Sequence, residues 1–213
     1  MSQNERKTAG VPTLKRLPLY LRLLKTMKEG GEEYASGTVV AKKLGLDPIV
    51  VRKDLAITGA VGRPRLGFPM DEIIDAIEEF LGWTNTSDAF LVGVGNLGRA
   101  LLGYKGFEQH GIRIVAGFDT NPTIIGKTIA GKNIHDINEM AALAKSKHVQ
   151  IGILTVSPPF AQKVADAMVQ VGIRAIWNFT PITLNVPDYV ILQREELASS
   201  LAVLSHRLLI GNE

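Results

Sequence analysis

The residues with the most specific chemistry are three glycines in the run Gly93-Val94-Gly95-Asn96-Leu97-Gly98. In this spacing the first glycine allows a tight turn, the second lets the backbone approach a pyrophosphate, and the third lets a helix pack closely on a sheet. The run follows the apolar segment 89–94, which is typical of a buried parallel strand. The spacing predicts a phosphate-binding turn for a dinucleotide; the alternative is a glycine turn in a sheet that binds no ligand.

An acidic residue supports the dinucleotide interpretation. Asp119 follows the predicted strand 112–118 and lies 21 residues after Gly98, which is the spacing of an acid that binds ribose hydroxyls. A carboxylate there also repels a 2′-phosphate, and the segment 119–122 contains no arginine that could bind one. The predicted cofactors are therefore NADH and NAD⁺ rather than their phosphorylated forms.

A second predicted strand end lies in the same crevice, because the carboxyl ends of parallel strands line the ligand site. Thr155 belongs to the predicted strand 149–156, and Pro158 and Pro159 follow it. With Phe179, the two prolines would give a rigid apolar wall for a nicotinamide ring. The alternative is that the prolines only end the strand.

Charge is distributed unevenly along the 213 residues. Residues 1–70 hold 13 Lys and Arg against 6 Asp and Glu, whereas the whole chain carries a net charge of only +3. A basic front part on an acidic body suggests one module that faces a polyanion.

The basic front part has the pattern of a winged helix. A predicted helix over 13–29 is followed by two short helices, 36–44 and 48–58, which form a helix-turn-helix, and by a wing over 60–69 that is rich in glycine and arginine. A further helix over 71–81 leads to the second module. Recognition helices contact base edges in the major groove, and arginine is attracted to a narrow minor groove. The predicted DNA-contacting residues are Arg16, Ser36, Arg52, Lys53, Arg63 and Arg65.

Strands and helices alternate beyond residue 89, which predicts a doubly wound parallel sheet of the Rossmann type. The predicted strands and helices cover 89–94, 95–110, 112–118, 137–147, 149–156, 160–171, 174–179 and 189–192.

Several classes of protein and site are disfavoured by composition. Without cysteine, the chain has no disulfide, thiolate zinc site or cysteine nucleophile, and its four dispersed histidines predict no metal site. We find no catalytic residue, no Tyr-Lys pair of short-chain dehydrogenases and no membrane span, so we expect a cytoplasmic regulator rather than an enzyme. The alternatives are a small NAD-dependent oxidoreductase with an accessory basic domain and a regulator that binds coenzyme A, against which Asp119 argues.

The chain resembles the Rex family of redox-sensing transcriptional repressors over residues 12–208. The motifs that carry the resemblance are Val51-Arg52-Lys53-Asp54-Leu55, the glycine run, Gly117-Phe118-Asp119 and Asn178-Phe179-Thr180-Pro181. The wing departs from the family's usual Gly-Thr-Arg-Gly-Val-Gly-Tyr, because Pro64 takes the place of the arginine and arginines flank it. Which of the two flanking arginines enters the minor groove is left open.

The resemblance implies a homodimeric repressor that binds a palindromic operator and senses the NADH/NAD⁺ ratio. NADH would close the dimer and release the DNA of fermentative and redox genes. The resemblance places Tyr104 near the nicotinamide and groups it with Arg22 and Glu196 in a switch, in which Glu196 stands where the family often has an Asp paired with an Arg of the first helix.

The last predicted helix begins at Glu195-Glu196 and carries a leucine stripe that nothing later in the chain covers. The resemblance implies that this helix swaps into the partner subunit. The expected domains are a winged-helix DNA-binding domain over 1–84, a Rossmann NAD(H)-binding domain over 85–194 and a swapped C-terminal helix over 195–213. The stripe comprises Leu197, Leu201, Leu204 and Leu208.

Overall fold

A computed structural model describes residues 8–211 of the chain. The fold divides into two compact units, an N-terminal unit that ends at Asn85 and a C-terminal unit that begins at Thr86. None of the helices within the described range is long and apolar enough to cross a membrane.

The N-terminal unit is a small helical domain closed by a two-stranded sheet. Its core is formed by apolar residues spaced at helical intervals, of which Leu17, Leu24 and Leu55 are fully buried. The elements are α1 (Val11–Glu29), β1 (Tyr34–Ala35), α2 (Gly37–Leu44), α3 (Pro48–Ile57), β2 (Phe68–Pro69) and α4 (Met70–Leu81).

The helix-turn-helix is fixed by its caps. The Ser36 hydroxyl accepts a hydrogen bond from Val39 N–H at the start of α2, and the Asp47 carboxylate accepts from Ile49 N–H and Val50 N–H at the start of α3. Each cap satisfies N–H groups that the first helical turn leaves without an acceptor. The sequence-based bounds of both helices are confirmed to within one residue.

The wing is a short ribbon that returns to the helices. β1 and β2 are antiparallel, with Tyr34 opposite Pro69, and an isolated bridge joins Arg63 to Gly67. Gly67 has a φ of +97°, and a Cβ there would overlap the Ala35 carbonyl, so a glycine is required where the ribbon crosses β1.

The C-terminal unit is built on a seven-stranded sheet in the order β5-β6-β4-β3-β7-β8-β9, in which every neighbouring pair is parallel except β5 with β6. Its strands are β3 (Ser87–Val92), β4 (Ile112–Asp119), β5 (Thr128–Ile129), β6 (Lys132–Asp136), β7 (Ile151–Leu154), β8 (Ala175–Asn178) and β9 (Ile191–Arg194). Its α-helices are α5 (Asn96–Leu102), α6 (Met140–Lys147), α7 (Pro158–Gln170) and α8 (Leu197–Ile210). From β3 the strands β4 and β6 are added on one side of the sheet, and the later strands β7, β8 and β9 are added on the other side. The carboxyl ends of β3 and β7 therefore flank the crevice where such sheets bind ligands.

Three sequence-based expectations for this unit are wrong. The helix after the glycine run ends at Leu102, and a 3-10 helix over Lys105–His110 replaces the rest of the predicted segment. Strands β5 and β6 were not predicted; β6 has a single apolar residue, Ile134, instead of an apolar run. Pro158 and Pro159 form the first turn of α7, which the prediction began at Phe160, because proline is accommodated where helical N–H groups have no acceptor.

Candidate coenzyme site and nucleic-acid interface

The glycine run forms a tight turn between β3 and α5. Gly93 has a φ of +99° and packs against the backbone of Thr155, and a Cβ on Gly98 would overlap the Gly93 carbonyl oxygen. A Cβ on Gly95, in contrast, would meet no atom within 4 Å. Gly93 and Gly98 are thus required by the chain itself, whereas Gly95 faces open space, as expected of a position that a pyrophosphate approaches.

Thr155 ties the ends of β3 and β7 together. Its hydroxyl donates to the Gly93 carbonyl at 2.7 Å and lies 3.1 Å from the Val92 carbonyl, and its N–H donates to Val92 at 2.9 Å. The side chain that we expected to contact the coenzyme therefore holds the glycine turn in place. A coenzyme contact by Thr155 stays a prediction.

Asp119 is oriented by backbone N–H groups from two loops. Its Oδ2 accepts from Val94 N–H at 2.6 Å, and its Oδ1 accepts from Thr120 and Asn121 N–H at 2.8 and 2.9 Å. The half-buried carboxylate is thereby fixed at the end of β4, beside the glycine turn. Oδ2 accepts only one of these bonds and keeps a lone pair, so the geometry fits an acceptor for a ribose hydroxyl.

Arg99 is a residue of this turn that the sequence analysis missed. Its Nε donates to the Val94 carbonyl at 3.2 Å, which braces the turn from the side of α5. Its position directly after Gly98, in the first turn of the helix, was the signal that could have identified it.

The predicted apolar wall is only partly assembled from the expected residues. Phe179 follows β8, and its N–H donates to the Leu154 carbonyl at 3.0 Å, so the chain places it beside the end of β7. The buried Asn178 orders the loop that follows, since it accepts from Thr180 N–H and hydroxyl and donates to the Ile182 carbonyl. Pro158 and Pro159 are exposed at the start of α7, and their contact with a nicotinamide stays a prediction.

A chain of aromatic rings joins Phe179 to Tyr104. The ring centroids lie 4.8 Å apart from Phe179 to Trp177, 5.4 Å from Trp177 to Phe107 and 4.8 Å from Phe107 to Tyr104. The Trp177 indole N–H also donates to Glu195 Oε1 at 2.9 Å, just before α8. The side chains at the wall, at Tyr104 and at the start of α8 are therefore in one continuous set of contacts.

Glu196 is the N-cap residue of α8, and its side chain is bound locally without a capping hydrogen bond to the backbone. Its carboxylate accepts from Arg194 Nη2 at 3.1 Å and from the Ser199 hydroxyl at 3.3 Å. Arg22 is exposed on α1. The grouping of Glu196, Arg22 and Tyr104 as a switch stays a prediction.

The predicted recognition helix α3 presents Arg52 and Lys53 on its exposed face, opposite the buried Val51 and Leu55. Arg52 Nε donates to the Pro48 carbonyl at 3.2 Å, and a Cβ on Gly37 would lie 2.7 Å from the Arg52 Cγ. The small residue at the start of α2 therefore makes room for the Arg52 side chain.

Arg16 is held by an acid of the recognition helix. Asp54, only 4% exposed, accepts from Arg16 Nε at 2.7 Å and Arg16 Nη2 at 3.0 Å, and also from Thr13 and Tyr20 at 2.8 Å each. Burial alone would raise the pKa of Asp54, but the hydrogen bonds from Arg16, Tyr20 and Thr13 hold it below its usual value. Burial and the neighbouring Asp54 raise the pKa of Tyr20 to about 12. Arg16 was predicted to contact a DNA phosphate. Nη1 is the only nitrogen of its guanidinium that is not engaged in these hydrogen bonds and could make that contact.

Within residues 8–211 no group of three His, Asp or Glu side chains is arranged to hold a metal ion.

Known proteins match both units of the chain. The sequence model of the family described as "CoA binding domain" matches residues 84–182, and that of "Putative DNA-binding protein N-terminus" matches residues 10–56. The redox-sensing transcriptional repressor Rex of Treponema denticola is 48% identical over 200 residues, which cover 94% of this chain and 95% of that protein. The chain belongs to the Rex family. The Rex repressor of Bacteroides fragilis is 43% identical over 92% of this chain and 90% of its own length.

Solved Rex-family structures have the same fold. RSP, a Rex-family repressor, in complex with β-NAD⁺ and operator DNA superposes with a TM-score of 0.90, at 33% identity, over 96% of this chain and 94% of that chain. RSP in complex with β-NADH gives a TM-score of 0.87, at 32% identity, over 96% of both chains.

Membership of the Rex family confirms the predicted fold class: a helical DNA-binding region, a Rossmann-type parallel sheet and a C-terminal helix. It also confirms that the chain is a transcriptional regulator rather than an enzyme, because its Rex relatives are named repressors. The exchange of α8 between subunits and the roles of individual site residues stay predictions.

Proposed function

We propose that the chain is a repressor that binds a palindromic operator through its N-terminal unit and NADH or NAD⁺ through its C-terminal unit. NADH releases the operator, and the genes that are freed serve fermentation and redox balance. The protein acts as a homodimer in the cytoplasm. The observation that carries the proposal is Asp119, held by three backbone N–H groups beside a glycine turn.

Several features of the site support NADH and NAD⁺ as its ligands. Asp119 offers acceptors to a ribose diol and repels a 2′-phosphate, and Gly95 leaves space for a pyrophosphate beside the first turn of α5. The Rex-family structures RSP with β-NAD⁺ and RSP with β-NADH match nearly the whole chain.

The chemistry of the nicotinamide gives a reason why the two redox forms act differently. The oxidised ring is a cation and the reduced ring is neutral, so enclosure by apolar groups such as Phe179 disfavours the oxidised form. NADH then binds most tightly to the closed conformer and by linkage populates it. Inverting a 99:1 population requires a preference of about 5.5 kcal/mol. Closure changes the separation of the two α3 helices, which must match the spacing of the half-sites.

The surface of α8 supports a swapped dimer. Apolar side chains that are more than half exposed lie on several sides of this helix, including Leu201, Val203, Leu204, Leu208 and Leu209. Apolar side chains of a helix are normally enclosed by other elements. Insertion into a second copy of the chain provides that enclosure.

A mobility-shift titration tests the proposal. A palindromic operator selected by the protein from random duplexes is titrated at one stated salt concentration with NADH, NAD⁺, NADPH and coenzyme A separately. Release by NADH at concentrations where the other three leave the complex intact supports the proposal. Release by coenzyme A instead would assign the site to the alternative ligand, and DNA binding that is indifferent to all four would refute the coupling.

A further inference from the structure

We propose that Arg65, at the tip of the wing, is the residue that enters the minor groove of the operator, whereas Arg63 anchors the wing to its own domain. The proposal rests on the proposed function and names the residue of the wing that determines specificity. The wing offers two arginines, Arg63 and Arg65, on either side of Pro64.

Arg63 is engaged at the base of the wing. Its Nη1 donates to the Tyr34 hydroxyl at 3.1 Å, its Nη2 donates to Glu72 Oε1 at 3.2 Å, and its guanidinium carbon lies 5.7 Å from the centre of the Tyr34 ring. These contacts join the wing to β1 and α4. Extension of Arg63 into a groove would break all of them.

Arg65 is placed differently. It is exposed, and in the described part of the chain its guanidinium makes no hydrogen bond or ion pair with a protein group. It occupies the second central position of the turn that Leu66 N–H closes on the Arg63 carbonyl, directly after Pro64. The outermost cation of the wing is therefore free to contact DNA.

The backbone at Arg65 is in a conformation that arginine disfavours. Its φ is +66°, in the left-handed region, where a type II turn normally has glycine or asparagine. A long cation kept at an unfavourable backbone position, without an internal partner, indicates a role outside the folded domain.

Arginine is suited to a narrow minor groove, where A·T-rich sequence strengthens the negative potential. In that groove the guanine 2-amino group is the feature that distinguishes G·C from A·T. An I·C pair lacks this amino group but keeps the major-groove edge of G·C. If Arg65 contacts the minor groove, replacement of A·T by I·C should leave the affinity for the operator nearly unchanged, whereas replacement by G·C should lower it.

The test measures binding of the selected operator by fluorescence anisotropy, with each A·T pair replaced in both half-sites by G·C or by I·C. For the wild type we expect at least one position where G·C weakens binding by about tenfold and I·C by less than about twofold. Arg65→Gly should bind the parent operator about tenfold more weakly, lose that G·C/I·C difference, and reduce the salt slope by about one per subunit.

Thermal unfolding separates this role from a structural one. Arg65→Gly removes the disfavoured backbone conformation, so its melting temperature should stay unchanged or rise while its affinity falls. Arg63→Ala and Tyr34→Phe serve as matched controls, which should lower the melting temperature and, measured where both are folded, keep the G·C/I·C difference. A normal G·C/I·C difference in Arg65→Gly, or its loss in Arg63→Ala, overturns the proposal. Failure of the wild type to bind any selected duplex would instead refute the proposed function.

Discussion

Arg16 and Asp54 form a two-pronged ion pair, in which Nε lies 2.7 Å from Oδ2 and Nη2 lies 3.0 Å from Oδ1, between α1 and α3. Tyr20 and Thr13, also of α1, donate to the same carboxylate. One buried acid on the inner face of α3 thus fixes the orientation of its outer face, which carries Arg52 and Lys53.

Removal of that acid should destabilise the N-terminal unit. We expect Asp54→Ala to lower the free energy of unfolding by about 3 kcal/mol, because it leaves a half-buried guanidinium without its partner. Tyr20→Phe should cost about 1 kcal/mol. The matched control is Asp71→Ala, which breaks the exposed ion pair with Lys28 and should leave the free energy of unfolding nearly unchanged. Urea unfolding followed by circular dichroism measures all three variants, and equal effects of Asp54→Ala and Asp71→Ala would contradict the prediction.

The contribution of Asp54 should depend on pH. Its folded-state pKa lies below the usual carboxyl value, so the unfolded chain takes up the proton first as the solution is acidified. The stability due to Asp54 is therefore complete above the usual carboxyl pKa of about 4 and is lost as the pH falls through the lower folded value. The difference in unfolding free energy between wild type and Asp54→Ala should shrink over that range, and a difference that grows on acidification would refute this assignment.

The glycine turn allows binding and stability to be separated. Gly98→Ala should destabilise the C-terminal unit, because its Cβ would overlap the Gly93 carbonyl. Gly95→Ala, whose Cβ would enter open space, should leave the melting temperature unchanged yet weaken NADH binding by at least about tenfold. Calorimetric titration and thermal unfolding of both variants are the measurements. Normal NADH affinity in Gly95→Ala would mean that the pyrophosphate does not approach this turn.

Asp119 should determine both affinity and coenzyme choice. Loss of a charge-assisted hydrogen bond should weaken NADH binding by about tenfold or more in Asp119→Ala, with operator binding in the absence of NADH retained. Asp119→Asn, whose amide oxygen can still accept from Thr120 and Asn121 N–H although its amide nitrogen cannot accept from Val94 N–H, should lose less NADH affinity than Asp119→Ala and gain affinity for NADPH relative to NADH. Titration with NADH and with NADPH, each followed by the fluorescence of its reduced nicotinamide, tests this. An unchanged preference for NADH over NADPH in both variants would exclude Asp119 from the ribose site.

The apolar surface of α8 should be necessary for the dimer. Leu204→Glu places a charge that would have to be buried between subunits, so it should yield monomers and abolish operator binding at protein concentrations where the wild type is dimeric. Leu204→Met, which keeps volume and polarity, is the control and should remain dimeric. Sedimentation velocity reports the oligomeric state, and a dimeric Leu204→Glu variant would show that α8 is not in the interface.

The sequence predicted those features that depend on local patterns. The bounds of α2 and α3, the glycine turn and the acid at the end of β4 follow from residue types that the local backbone demands. The α/β class followed from the alternation of apolar runs with helical periodicity, since buried parallel strands are continuously apolar.

The features that were missed depend on contacts between distant residues. Arg16 has the sequence pattern of a surface cation. Only the folded domain shows that it pairs with Asp54, which lies 38 residues further along the chain. The ring contacts of Trp177 and its hydrogen bond to Glu195 likewise arise from tertiary packing. Strand β6 was not predicted because it lies near the edge of the sheet and lacks the apolar run of a central strand. Its backbone pairing with β4 holds it in the sheet, and that pairing joins residues that are distant in the sequence.

The turn that would hold the pyrophosphate is braced by the chain's own atoms: the Thr155 hydroxyl, the Asp119 carboxylate and Arg99 all fix it. The adenosine diphosphate part of the coenzyme, which faces this turn in the proposed function, is identical in both redox forms. Because the turn is already rigid, binding of this shared part loses little conformational entropy, and the turn binds either redox form. Occupancy would then saturate at ordinary coenzyme levels, and each form could enter only by displacing the other. Such a site would be insensitive to the size of the coenzyme pool, so a cell could enlarge that pool during growth without a false signal.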